Sequence, residues 1–242
     1  MLVMRLPDAI LFYTNEEMTE YRCIQRTRSQ SVFALDNGIE TDDIVRLRKP
    51  YRSEHRTRDL FFIGRLTPKA GLSLLFEALA QPDCAGVSLD IVGSGETELH
   101  LRSLAESLGL SDRVRWHGST TDEMRIAAIA NQCRLFVYPG SVGLSLVHAL
   151  SYGLPAILHE NRREHMPEYA AFKTGVNGLN FPSNEASGLS QVISRALGDS
   201  ERLNRMSAAA VLTTTNAFNS AVMAERFCAM VEALTRDDVK GR

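Results

Sequence analysis

From residue 59 onward, short β-rich runs alternate with segments of helical period, and this alternation narrows the possible folds more than any other feature of the chain. Strands are expected over 60–63, 87–92, 114–117, 135–138, 155–158 and, more weakly, 179–181. Helices are expected between them, near 71–80, 96–108, 121–131, 143–152 and 164–172. Each helix carries the chain back to the start of the next strand, so the strands run parallel and the crossovers are right-handed. The fold class that follows is α/β, a Rossmann-like parallel sheet with helices on both faces and ligands at the carboxyl ends of the strands.

After Pro182 the pattern changes to a helical tail, near 184–197, 200–214 and 217–235. The last helix carries Phe218, Val222, Met223, Phe227, Met230 and Val231 at helical spacing, a core-facing stripe rather than a cofactor contact. Ahead of the alternating region, 9–13 and 31–35 read as strands flanking a helix from Asn15 to about Arg26, followed by the turn Asp36-Asn37-Gly38. Two strands and one helix are too little to bury a core of their own. Residues 45–58 are basic and aperiodic and read as a solvated linker, with contact to an anionic lipid or phosphate as the alternative. The expected division is a leading remnant (1–44), the basic linker (45–58), the Rossmann-like domain (59–216) and a C-terminal helix (217–242).

Composition adds exclusions. A chain that is 44% hydrophobic and 23% charged is globular, and a formal net charge of -2 carries no signature of a polyanion partner, so nucleic acid is not expected. Cys23, Cys84, Cys133 and Cys228 are far apart and form no Cys-x-x-Cys, which suits reduced thiols in buried surroundings. No apolar run approaches the roughly 18 residues of a membrane helix, and the opening segment is broken by Arg5 and Pro7. The expected location is cytoplasmic, with peripheral contact to the inner membrane face left open.

Three motifs can carry chemistry. The run Phe62-Ile63-Gly64-Arg65-Leu66-Thr67-Pro68-Lys69-Ala70-Gly71 goes from strand through a glycine-bearing loop to a helix. Gly64 permits the turn, Arg65 offers a planar fork of donors for phosphate oxygens, and Lys69 is a point charge near a helix N-terminus. That is a diphosphate site or, alternatively, a pair of exposed surface charges. The second run, Asp90 through Gly93-Ser94-Gly95-Glu96, lacks the third glycine of a dinucleotide fingerprint and reads as a plain turn with Glu96 favouring the helix dipole. In the third, a strand ends at Tyr138, the small residues Gly140, Ser141 and Gly143 follow, and a helix begins with its free N–H groups at the mouth of the sheet. This is a second anion or sugar cradle; His148, about one turn into its helix, is either a ligand contact or a satisfied core histidine.

Other chemistries lack their motifs. There is no Walker A run, no His-Glu-x-x-His and no Gly-x-Ser-x-Gly elbow, since Pro139 stands where the elbow's first glycine would be. Nor is there an Asp-x-Asp pair to hold a diphosphate through a cation.

Gly64-Arg65-Leu66, Ile91-Val92-Gly93-Ser94-Gly95, Trp116-His117-Gly118, Tyr138-Pro139, Gly143-Leu144, Ala149 to Pro155 and Gly175-Val176-Asn177-Gly178-Leu179, in this order and spacing, resemble the C-terminal half of a group 1 glycosyltransferase. The resemblance is to the family 4 kind with the GT-B fold and covers about 59–235; residues 1–44, ending in Leu35-Asp36-Asn37-Gly38-Ile39-Glu40, resemble the last part of that family's N-terminal acceptor domain. It implies transfer of a sugar from a nucleotide-sugar donor to a polysaccharide or lipid-linked acceptor, with retained configuration and with no metal or other cofactor. It further implies that Arg65 and Lys69, beside Gly64, bind the donor diphosphate and that Trp116, His117 and Gly118 lie near the base. The amides of Ser141, Val142, Gly143, Leu144 and Ser145 would hold phosphate and sugar.

The family usually has two glutamates eight residues apart in the third motif, one on the sugar and one on the ribose. Gly140 and His148 stand at those positions, leaving sugar recognition to backbone or Ser141 and the ribose to an imidazole. The family's lysine position falls on Ala70, with Lys69 one residue early. Expected partners are the donor, a saccharide acceptor, and either an acceptor-domain subunit or a second copy of the chain. The alternatives are a nucleotide-sugar binding module or inactive remnant without turnover and, further off, an epimerase sharing the fold.

Overall fold

The computed structural model describes residues 9–24 and 30–240 and builds two parallel sheets. In the small one, Ala9–Phe12 (β1) pairs with Ser31–Ala34 (β2), and Asn15–Ile24 (α1) connects towards the second strand. The expected end of that helix, at Arg26, lies outside the described residues. Asp42–Leu47 (α2) then leads to Arg58–Ile63 (β3), Leu72–Leu79 (α3), Leu89–Val92 (β4), Glu98–Ser107 (α4), Val114–Trp116 (β5), Glu123–Ala130 (α5), Cys133–Tyr138 (β6), Leu144–Ser151 (α6), Ala156–His159 (β7) and Gly178–Phe181 (β8). Three helices close the chain: Ala186–Leu197 (α7), Ser200–Asn216 (α8) and Ser220–Lys240 (α9).

The six-stranded sheet is all parallel, in the order β5-β4-β3-β6-β7-β8. Leu60, Phe61 and Phe62 of β3 are consecutive and fully buried, as a central strand covered on both faces demands. β5 and β8 carry partly exposed residues, in keeping with their edge positions. α3 packs against α4 and α7, and α6 against α8, which completes the helical cover. Among the described residues no helix is long and apolar enough to cross a membrane.

The stretch read as a solvated linker is instead strapped to the sheet's amino end. Arg48 Nη1 donates to the carbonyl of Ser151 (2.7 Å) and Arg56 Nη1 to that of Ala130 (2.9 Å), the last residues of α6 and α5. Two further arginines repeat the arrangement: Arg113 Nη2 on Leu79 O at the end of α3 (3.0 Å) and Arg134 Nη2 on Leu197 O at the end of α7 (2.6 Å). A guanidinium both satisfies an orphan carbonyl and meets the negative end of the helix dipole. Arg58 joins the strap by an ion pair to the buried Asp90 (Nε to Oδ2, 2.5 Å).

Three other expectations change. The helix expected over 164–172 is two 3-10 turns, Arg162–Glu164 and Pro167–Ala171, separated by extended backbone at His165 and Met166. Pro167 has no N–H for a continuing helix and biases the residue before it to extended backbone. The stripe of α9 does not enter the core: Phe218, just before the helix, is buried, but Phe227 and Val231 are 47% and 42% exposed. The helix is held instead by polar contacts to the N-terminal segment, Arg226 to Asp36 (2.8 Å) and Leu35 O (2.7 Å) and Ser220 Oγ to Glu40 (2.8 Å). Cys84 and Cys133 are buried as expected, whereas Cys23 and Cys228 are exposed; all four are free thiols.

Candidate functional site

From β3 the chain proceeds to β4 on one side, while its other neighbour, β6, opens the second half of the sheet. The strand order reverses between β3 and β6, the place where an open α/β sheet seats a ligand at the carboxyl ends of its strands. Glycines bring the loops there into backbone contact. A Cβ on Gly93 would stand 1.9 Å from Gly64 O, one on Gly95 2.2 Å from Leu66 O, and one on Gly71 2.8 Å from the Gly140 nitrogen. The close approach is sealed by hydrogen bonds from Leu66 N–H to Ser94 O (3.0 Å), Gly140 N–H to Ala70 O (3.1 Å) and Ser141 N–H to Lys69 O (2.9 Å). The Gly93-Ser94-Gly95 turn is thus a seat for the Gly64 loop as well as a helix start.

Arg65 and Lys69 project from this fixed loop, are exposed, and have no ion-pair partner among the described residues. They open onto two cavities. Arg65 lines one of about 300 Å³ with Gly93, Ser94, Ser119 and Thr120. Lys69 lines another of about 370 Å³ with Gly140, Ser141, His159, Glu164 and Asn184.

The amides expected to form the cradle divide into two groups. Those of Ser141 and Val142 are engaged within the protein, on Lys69 O and on His165 Nδ1 (3.3 Å). Those of Gly143, Leu144 and Ser145, at the cap and first turn of α6, have no hydrogen-bond partner among the described residues and stand where the helix dipole favours an anion. Ser141 Oγ donates to Glu164 O (2.5 Å), so the side chain suggested for sugar recognition is occupied as well.

The remaining expected residues lie around this centre. The Trp116 ring packs edge-on to Phe76 (6.0 Å) under the Arg102 guanidinium (4.6 Å). His117 Nε2 donates to Asp90 Oδ1 (2.7 Å), and Gly118, at φ +70°, accepts the Gly93 amide through its carbonyl. His148 Nε2 donates to Glu123 Oε1 (2.9 Å), and the same carboxylate accepts from the Tyr152 hydroxyl. Burial opposes the charge on Glu123, yet these two hydrogen bonds outweigh it and hold the carboxyl below its usual value. Burial and the Glu123 carboxylate push the Tyr152 hydroxyl up.

A family model described as "Glycosyl transferases group 1" matches residues 43–212, the span from α2 into α8. The chain belongs to the group 1 glycosyl transferases. A relative in this group, the lipopolysaccharide core biosynthesis glycosyltransferase LpsE of Rhizobium meliloti, is 29% identical over 147 residues, 60% of this chain and 41% of its own length. The chain spans less than half the length of the curated relatives it matches. Among solved structures, sucrose-phosphate synthase of Thermosynechococcus elongatus superposes with a TM-score of 0.75 at 18% identity, over 98% of this chain and 60% of that one. Anabaena Alr3699/HepE, solved with UDP and glucose, gives 0.67 at 19% identity over 94% and 64%. These likenesses establish the fold, a GT-B type α/β layer with a parallel sheet between helices.

Four residues of this group 1 transferase escaped sequence reasoning: Glu123, Glu164, His165 and Glu168. The signal for Glu164 and His165 was the dense polar run His159-Glu160-Asn161-Arg162-Arg163-Glu164-His165 leaving the carboxyl end of β7; Glu168 follows it after Met166-Pro167.

Proposed function

We propose that this chain is the donor-binding half of a family 4, retaining, metal-independent glycosyltransferase that moves a sugar from a nucleoside-diphosphate donor to a saccharide or lipid-linked acceptor. The observation that supports this reading is that the loops leaving the carboxyl ends of β3 and β6 carry unpaired anion-binding groups among the described residues: the Arg65 guanidinium, the Lys69 ammonium and the free amides of Gly143, Leu144 and Ser145. Their role is to neutralise the diphosphate as its charge grows on departure. Because the loops that carry them are locked by backbone contacts, the donors need little reorganisation, which is the main source of electrostatic catalysis. A retaining displacement brings the acceptor hydroxyl to the face the diphosphate leaves, so its proton would pass to an oxygen of the departing phosphate while the positive groups balance the charge that remains. The acceptor pocket and the facing wall of the cleft would come from an N-terminal domain, in keeping with the longer relatives.

Calorimetric titration with UDP, GDP and ADP tests this. Binding of at least one, weakened about tenfold or more by Arg65→Ala, is expected for loss of a charged phosphate contact. Absence of binding by all three, or indifference to Arg65→Ala, removes the reading. A binding module without turnover is the second reading, favoured by Gly140, which offers no side chain to a sugar, and by His148, which is committed to Glu123. Sugar transfer in the presence of an acceptor domain would exclude it.

A further inference from the structure

We propose that residues 162–168 form a positioning strut that ties the donor cradle to the N-terminal segment, with His165 and Glu168 as its working side chains. The ligand named in the test rests on the donor-site reading; the mechanics rest on the contacts of the strut alone.

On the cradle side, Ser141 Oγ donates to Glu164 O (2.5 Å), Val142 N–H to His165 Nδ1 (3.3 Å), and Met166 N–H to Val142 O (3.0 Å). These clamp residues 141 and 142, immediately before the free amides of Gly143 to Ser145. His165 is 7% exposed and stacked between His159 (3.8 Å) and Tyr169 (4.4 Å). Its Nε2 donates to His159 O (3.0 Å), so Nδ1 carries no proton and is free to accept the Val142 amide.

On the other side, Glu168 is a carboxylate only 6% exposed, and its Oε1 accepts from Asn37 Nδ2 (2.7 Å). Its Oε2 lies 3.7 Å from where a Cβ on Gly143 would be. Arg162 adds a second tie, to Glu16 of α1 (3.1 Å). Asn37 is fixed within its own segment by its N–H on Tyr13 O (3.0 Å). A shift of the segment that carries Asn37 therefore reaches Glu168 and, along the same short stretch of chain, Met166 and His165, whose hydrogen bonds hold Val142 beside Gly143. Coupling of this kind needs a contiguous set of contacts and is demonstrated only by measured interaction between the two ends.

The experiment compares Asn37→Ala, His165→Phe, their double variant and His165→Asn. Its readouts are UDP affinity and ligand-free hydrogen exchange of the 141–146 amides. His165→Phe keeps a stacked ring without an acceptor and should weaken UDP about three- to tenfold, the range for one lost hydrogen bond, while speeding exchange at Val142. His165→Asn, whose amide oxygen replaces Nδ1, should recover most of both. Asn37→Ala should move both readouts in the same direction, and the double variant should be little worse than either single one. Glu168→Gln, which keeps shape and weakens only the acceptance from Asn37, replaces Asn37→Ala if that variant does not fold. Unchanged exchange at 142–145 in the Asn37 or Glu168 variant, or plain additivity in the double, overturns the strut. If the wild type binds no nucleoside diphosphate, the donor-site reading fails and the exchange comparison still decides the strut.

Discussion

A Cβ on Gly140 would stand 1.9 Å from the carbonyl oxygen of Lys69. The residue that offers no side chain to a sugar is therefore small because the loop carrying Lys69 lies directly on it, with its amide on Ala70 O. Gly140 and Lys69 form one unit of backbone.

Gly140→Ala should push these loops apart. Overpacking of this kind costs about 1–3 kcal/mol, and the displaced Lys69 loop should also weaken nucleotide binding. Chemical denaturation and titration of the same sample check both effects; a variant as stable as the wild type would mean that the Lys69 loop yields freely.

Arg56→Ala should cost about 1–2 kcal/mol, the combined worth of a charge-assisted hydrogen bond and a helix-end charge, and leave UDP affinity unchanged. A solvated linker would instead give a change within about 0.5 kcal/mol. Urea unfolding separates the two.

Burial pushes His165 down to about 4 from its ordinary value of 6.5. Between those values the unfolded chain takes up the proton that folded His165 refuses, so stability falls as pH drops from about 6.5 to 4 and is flat for this group above that window. The contribution is up to about 3 kcal/mol. His159 is also lowered by burial and acts in the same sense. His165→Phe should flatten the acid limb of a melting-temperature profile only in part; an unchanged limb would show that His165 binds its proton equally well folded and unfolded.

The central sheet was legible because its inner strands bury near-continuous apolar runs, as 60–62 does, and β3, β4 and β6 lead straight into glycine or proline turns, whereas the edge strands β5 and β8 are only partly buried. The motif glycines were legible as turns, but not as the interlocking contacts they make, since Gly93 against Gly64 and Gly140 against Lys69 depend on how neighbouring loops stack. The arginine caps were hidden for a similar reason: Arg48 and Arg56 gain partners only once α6 and α5 end beside them. The 162–171 segment defeated periodicity because its buried groups, His165 and Glu168, are polar and satisfied by Val142 and Asn37, far away in sequence.

Glu123 joins His148 to Tyr152, whose ring is fully buried. Glu123→Ala leaves that hydroxyl only the long contact to the residue-123 carbonyl (3.5 Å) and should cost about 1–3 kcal/mol. Adding Tyr152→Phe should recover part of the loss, since removing both partners is gentler than removing one. No recovery would mean that His148 carries the cost.

Hydrogen exchange with and without saturating UDP tests the central claim most directly. The account predicts ligand-induced protection at Gly143, Leu144 and Ser145 and slowed opening of the 64–71 loop, both reached by Arg65→Ala only at about tenfold or more higher UDP. Binding that leaves these amides unprotected, or that protects a different region of the sheet, would contradict it.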